Sequence, residues 1–170
     1  MSLYLRLILL LFCLLPIKSY AQLDTFISIN TGSFLFHLVP FDTESNQYFD
    51  NQYFSVERKF SKNSDYSLIA GTFLNSQANR CFLLGVRKDW YQVNNRLVFK
   101  GIYSYAGEFF FDAFEDCGEG GVYRTSKENT GLAFVPYIYH AAQYNFNDHI
   151  GVEAGFMLPF ILVMSVQWSF

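Results

Sequence analysis

The chain has 170 residues, of which 51% are hydrophobic, 20% aromatic and only 16% charged, at a formal net charge of -3. An average soluble domain is about 25% charged, so this composition, with 20 Phe and 12 Tyr, excludes a disordered chain. The lack of a basic stripe excludes a nucleic-acid partner held by bulk charge, and the length suits a single domain.

Residues 1–21, MSLYLRLILLLFCLLPIKSYA, have the layout of a secretory signal peptide. Arg6 supplies a positive start, Leu7 to Ile17 an apolar run, and Ser19-Tyr20-Ala21 a small-x-small cleavage pattern ahead of Gln22. The apolar run is too short to cross a bilayer of roughly 30 Å as a helix. Cleavage takes two of the 12 basic residues and none of the 15 acidic ones, leaving an exported domain, 22–170, with a net charge of -5. Two cysteines then remain. In an oxidising compartment Cys81 and Cys117 either pair or persist as a strand thiol and a loop thiol. No CxxC, HExxH or His cluster points to a metal, and no cofactor is expected.

No later stretch reaches 18 apolar residues, which excludes a helical membrane protein. Eight strands are predicted instead, at 24–37, 52–60, 65–75, 80–90, 96–107, 131–141, 149–157 and 160–170. In the fourth, Phe82, Leu84, Val86 and Trp90 oppose Cys81, Gly85, Arg87 and Asp89. In the seventh, Ile150, Val152, Ala154, Phe156 and Leu158 oppose His149, Gly151, Glu153 and Gly155. In the last, Phe160, Leu162, Met164, Val166, Trp168 and Phe170 oppose Ser165, Gln167 and Ser169. A soluble sandwich hides the apolar face, whereas a membrane barrel turns it to lipid, and alternation alone does not separate the two. Three further features do. The strand number is even; the connections Ser61–Ser64, Tyr91–Asn95 and Gln143–Asp148 are short and polar while 38–51 and 108–130 are long; and an aromatic residue, Phe170, ends the last strand. The expectation is an all-β, eight-stranded, antiparallel up-and-down transmembrane β-barrel, monomeric, in the outer membrane of a Gram-negative-type envelope, with its long loops outside.

That topology brings His37, at the end of strand one, to the same outer rim as Asn75 and Ser76, at the end of strand three. A histidine beside a hydroxyl is the start of an acyl-transfer site, because imidazole takes a proton during attack on an ester and an amide such as Asn75 can donate to an oxyanion. The bland alternative is a set of loop hydrogen bonds. The loop 108–121, EFFFDAFEDCGEGG, carries five carboxylates and is expected to be solvated. Trp90, Tyr103, Tyr105, Tyr137, Tyr139 and Trp168 fit girdle and lumen-packing positions. His140 and His149 fall near the inner end, without a catalytic role.

The stretch Phe54 to Trp90, FSVERKFSKNSDYSLIAGTFLNSQANRCFLLGVRKDW, resembles the second to fourth strands of the lipid A palmitoyltransferases, the PagP family, at Phe54, Arg58, Lys62, Leu68, Ala70, Phe73, Ser76 and Gly85. His37 after the aromatic Phe36, Pro136, and HIGVEAGFMLP at 149–159 add to the resemblance. It implies an eight-stranded outer-membrane barrel that moves a palmitoyl-type chain from phospholipid to lipid A, with His37 and Ser76 in the rim site and the acyl chain in a lumen pocket beside Gly85. Three departures accompany it. Asn75 stands where the family has an aspartate, Arg87 points a charge into the lumen with Glu57 or Glu153 as partner, and no amphipathic helix precedes the first strand. Two functions follow from different classes: an acyltransferase using His37, Asn75 and Ser76 with Gly85 and Arg87 at the substrate, or a non-catalytic small barrel for structure, adhesion or surface masking. A lipid A deacylase ranks last, since its HxSN-like motif is missing.

Overall fold

The structure, a computed structural model, describes residues 26–38, 48–109, 111–158 and 161–170. The expected signal peptide at 1–21 lies outside them. Among the described residues nine strands form: β1 (Ile27–His37), β2 (Tyr48–Asp50), β3 (Phe54–Lys59), β4 (Tyr66–Leu74), β5 (Arg80–Gln92), β6 (Leu97–Gly107), β7 (Phe134–Asn145), β8 (Ile150–Met157) and β9 (Ile161–Ser169). Each pairs antiparallel with its neighbour, and β1 pairs back to β9 from Ser28↔Ser169 to His37↔Ile161, which closes the sheet. The predicted second strand, 52–60, forms as β3, and a break at 51–53 separates it from the short β2, which lies in the segment 38–51 expected as a connection. β3 pairs with β1 along Ile27–Thr31 and β2 along Phe34–Phe36, so both belong to one of eight barrel walls. The break faces a bulge in β1, where Gly32 adopts φ 56° and the register shifts between Thr31 and Phe34. Only glycine takes that backbone without strain.

At one end the turns are short, and asparagines shape two of them. Asn94 Oδ1 accepts the amides of Arg96 and Leu97, and Asn147 Oδ1 those of His149 and Ile150. Side-chain capping of this kind holds a tight turn without further packing. β7 reaches Asn145, four residues past the expected end at 141, because Ala141 to Tyr144 continue the ladder with Lys100 to Leu97. The sixth turn therefore starts at Phe146.

At the other end the connection expected at 108–130 is largely helical, while Asp112, Glu115, Asp116 and Glu119 are exposed, as expected of the acidic stretch 108–121. A 3-10 helix (Asp112–Glu119) leads into helix α1 (Gly121–Thr130), which stops at Gly131, φ 77°, whose amide donates to Lys127 O at 2.8 Å. Cys117 and Tyr123 are buried from it into the barrel mouth, and Cys117 is disulfide-bonded to Cys81 at a Cα–Cα separation of 5.1 Å. We call this segment the lid.

Outward-facing side chains such as Phe34, Leu68, Leu84, Phe99, Phe156 and Met164 are exposed, while Asn30, Glu57, Arg87, Lys100, Glu153 and Gln167 are buried inside. Water would demand the reverse. An apolar wall around a polar interior fits lipid, so the barrel crosses the membrane with its strands.

Candidate functional site in the outer rim and barrel interior

β1 and β4 run toward the lid end, and they deliver His37 and Asn75 there as the sequence implies. Both side chains are buried, at 6% and 5% exposure. A wall stands between them: the Asn51 amide donates to Ser33 O at 3.3 Å and the Leu74 amide to Asn51 O at 2.6 Å. Asn75 closes the β4–β5 turn. Its Oδ1 accepts the amides of Gln77 at 3.0 Å and Asn79 at 2.9 Å, and its own amide and carbonyl bond Asn79 O and the Ala78 amide, each at 2.9 Å. An aspartate in this place would make the same acceptor bonds. Ser76 Oγ lies 3.3 Å from Gln77 Oε1, to which it donates. The turn thus accounts for Asn75 Oδ1 by backbone satisfaction, while Nδ2 of the same amide is buried without a hydrogen-bond partner among the described residues.

Gly85 and Arg87 both face inward from β5. Gly85 pairs with Ile69 and Ser104, and a Cβ there would collide with the Ser104 side chain and the Tyr103 carbonyl, so close strand packing explains the glycine. Arg87 donates to Glu57 Oε2 at 2.5 Å and to Asp89 Oδ1 at 3.0 Å. Glu57 also accepts from Asn30 Nδ2 at 2.6 Å and Gln167 Nε2 at 3.3 Å. Gln143 links the set: it accepts from Lys100 Nζ at 2.7 Å and donates to Gln167 Oε1 at 2.6 Å, while Lys100 pairs with Glu153. Of the two partners considered for Arg87, Glu57 is the one in contact. Asn30, Lys100, Gln143 and Gln167 were not singled out from the sequence; the available signal was a polar residue at an inward position of each strand.

The interior has two storeys. This ionic network fills the short-turn half, leaving a polar cavity of about 80 Å³ beside Glu57, Arg87 and Gln143. Leu35, Ile69, Phe73, Leu83, Ile102 and Tyr139 fill the other half, and Cys117 and Tyr123 of the lid complete their cluster. Between the storeys a void of about 10 Å³ lies among Tyr53, Tyr137, Tyr139 and Ser165. That is room for roughly one water, against about 300 Å³ or more for a usual ligand pocket.

A closed antiparallel barrel with a lipid-facing wall and a filled interior defines the class: a small transmembrane β-barrel of the outer-membrane type. No protein-family model matches the chain, and no curated protein matches it. Among solved structures it is similar to the Yersinia pestis outer membrane protein Ail in a phospholipid bilayer nanodisc, with 11% identity, coverage of 86% of this chain and 99% of that chain, and a TM-score of 0.42. It is likewise similar to Ail, the attachment invasion locus protein of Yersinia pestis, in complex with the heparin analogue sucrose octasulfate, with 12% identity, 86% and 97% coverage, and a TM-score of 0.36. At such values no function passes to this chain.

Proposed function

We propose that this chain is a non-catalytic outer-membrane barrel, a filled and clamped scaffold that presents its lid and its β1–β2 loop at the cell surface for an adhesive or masking role. The observation that carries this reading is the interior: apolar packing in one half and a bonded ionic network in the other leave no acyl-length space among the described residues. The disulfide to Cys81 supports it, since it fastens the lid over the mouth through which a substrate chain would enter. A scaffold without chemistry also has no need of a carboxylate at Asn75.

Acyl transfer from phospholipid to lipid A is the second reading, favoured by the placement of His37, Asn75 and Ser76 at one rim. One assay separates the two. The purified barrel is incubated with phospholipid and lipid A, and the lipid A mass is followed. Unchanged lipid A is the expected result; a palmitoyl-sized gain that disappears in His37→Ala would overturn the scaffold reading. Surface presentation has its own test. An epitope inserted in the β1–β2 loop reacts with antibody on intact cells, whereas one in the turn Val93–Arg96 reacts only after permeabilisation, and the opposite pattern refutes the orientation.

A further inference from the structure

A cluster of polar side chains stands on the largely apolar outer wall. One ladder row runs Tyr66, Lys88, Gly101, His140, Phe156 across β4 to β8. It starts at the first residue of β4, on the short-turn rim, and ends near the lid end of β8, because barrel strands tilt against the axis. Lys88 and Gly101 therefore sit near the inner rim, and the row climbs deeper into the bilayer toward Phe156.

Five side chains gather there. Lys88 Nζ lies 4.1 Å from the Trp90 ring centroid and 5.1 Å from that of Tyr66. Tyr103 Oη and His140 Nε2 are 2.7 Å apart, and the Tyr103 ring meets Trp90 edge-on at 6.3 Å. Gly101 makes the gathering possible: a Cβ on it would lie 2.7 Å from Trp90 Nε1, 2.8 Å from Tyr103 Oη and 2.9 Å from His140 Cδ2. The indole N–H, the phenol, the imidazole and the ammonium thus border one patch of bare backbone. Beside it runs a groove of about 520 Å³, floored by Ala142 and Ala154 and walled by Phe99 and Phe156.

Polar side chains on a lipid-facing wall are destabilising unless they meet the interface. Trp and Tyr alone belong to any interfacial girdle. A cation held between two aromatic rings, next to an indole donor and a Tyr–His pair, has in addition the charge and the donors that a phosphate diester requires. Ala142 and Ala154, on the adjacent row Phe99–Ala142–Ala154 toward the short-turn end, leave space beside it for an alkyl chain.

We propose that this cluster and groove bind one glycerophospholipid of the inner leaflet, with the headgroup phosphate on Lys88, Trp90 Nε1 and Tyr103 Oη and an acyl chain on Ala142 and Ala154. Arg58 provides an internal control. It lies over the Phe26 ring at 5.2 Å, on the outer face near the same rim, and pairs in register with Ile27 and Leu68, away from the polar cluster and the groove.

The test is native mass spectrometry of the folded barrel released from detergent micelles containing dioleoylphosphatidylglycerol. The wild-type barrel and Arg58→Ala each retain one lipid. In Lys88→Ala the retained fraction falls about tenfold, the effect of losing one charge-assisted hydrogen bond. Lys88→Gln, which keeps the stem without the charge, gives the same fall, and Ala154→Phe blocks the groove to a similar extent. Dioleoylglycerol, with the same chains and no phosphate, is not retained, and neither is glycerol phosphate. Equal retention in Lys88→Ala and wild type, an equal loss in Arg58→Ala, or retention of dioleoylglycerol would each overturn the proposal.

Discussion

Replacing Arg87 with leucine tests whether the ionic storey holds the barrel or merely fills it. Arg87 and Glu57 have side-chain exposures of 8% and 2%, so neither is relieved by water when its partner goes. Removing one member of a buried pair costs about 3–5 kcal/mol, chiefly through the charge left behind. Here the lower end applies, because Glu57 keeps its bonds from Asn30 at 2.6 Å and Gln167 at 3.3 Å. The link to Asp89 adds little, since that carboxylate is 25% exposed. Arg87→Leu should therefore lose about 3 kcal/mol, roughly two powers of ten in the folding equilibrium. Adding Glu57→Gln removes the stranded charge and should recover more than half of that. The assay is urea unfolding in phospholipid vesicles, followed by the fluorescence of Trp90 and Trp168, which face outward and report insertion directly. A single variant within about 0.5 kcal/mol of wild type, the range of ordinary surface substitutions, would refute the reasoning. Losses that simply add in the double variant would do the same.

Three other outcomes follow from the same geometry. Cys117→Ser opens a loop of sequence separation 36 and should lower stability by about 4 kcal/mol on the chain-entropy account, with faster hydrogen exchange confined mainly to 112–130. Asn75→Asp should lose less than Asn75→Ala, since the two acceptor bonds survive and backbone amides receive the buried carboxylate, whereas Asn75→Ala should lose about 1–2 kcal/mol in the same urea titration. Burial raises the Tyr123 phenol above its usual value of 10.0, so the neutral ring stabilises the docked lid fully below that pH and the contribution is lost as pH rises beyond it. Near-ultraviolet circular dichroism should show an alkaline loss of lid order that shifts or vanishes in Tyr123→Phe.

The barrel was legible because its strands obey a period of two wherever one face meets lipid. β8 and β9 show it residue by residue: Val152, Phe156, Met164 and Trp168 lie outside and Glu153, Ser165 and Gln167 inside, as their alternation implies. The short strand β2 was not foreseen: 48–50 lay within the segment expected as a long connection, and nothing local marks Gln52, a non-glycine at φ 46°, as the joint between β2 and β3. The lid was missed because its carboxylates suggested solvent, although Gly131 as a left-handed stop and Lys127 reaching back to Glu108 at 3.0 Å are helix-ending features present in the chain. At the rim, topology alone placed His37, Asn75 and Ser76 at one end. Whether the amide of Asn75 serves a substrate or a turn depends on which backbone groups need it, and that is set by the β4–β5 connection. The partner of Arg87 was open between two glutamates for a similar reason: pairing inside a barrel depends on register across several strands, and Glu57 is reached only through β4.

The two storeys of the interior explain why, among the described residues, a lid covers one end of the barrel and not the other. At the short-turn end the buried groups are two cations, Arg87 and Lys100, and two carboxylates, Glu57 and Glu153, with the part-exposed Asp89 at their edge, knitted by amides around a polar cavity. Water entering there replaces one set of hydrogen bonds with another and gains little, so no cover is needed. At the opposite end water would meet Leu35, Phe73, Leu83 and Ile102. Fully burying one such side chain is worth about 1.5–3 kcal/mol, so an open mouth would forfeit several such amounts. The lid closes this face with Cys117 and Tyr123, and the covalent link to Cys81 makes the closure independent of how the acidic exterior of the lid is solvated or bound. Surface carboxylates such as Asp112, Glu115 and Asp116 are thereby free to vary with whatever the outer face meets, without loosening the wall beneath.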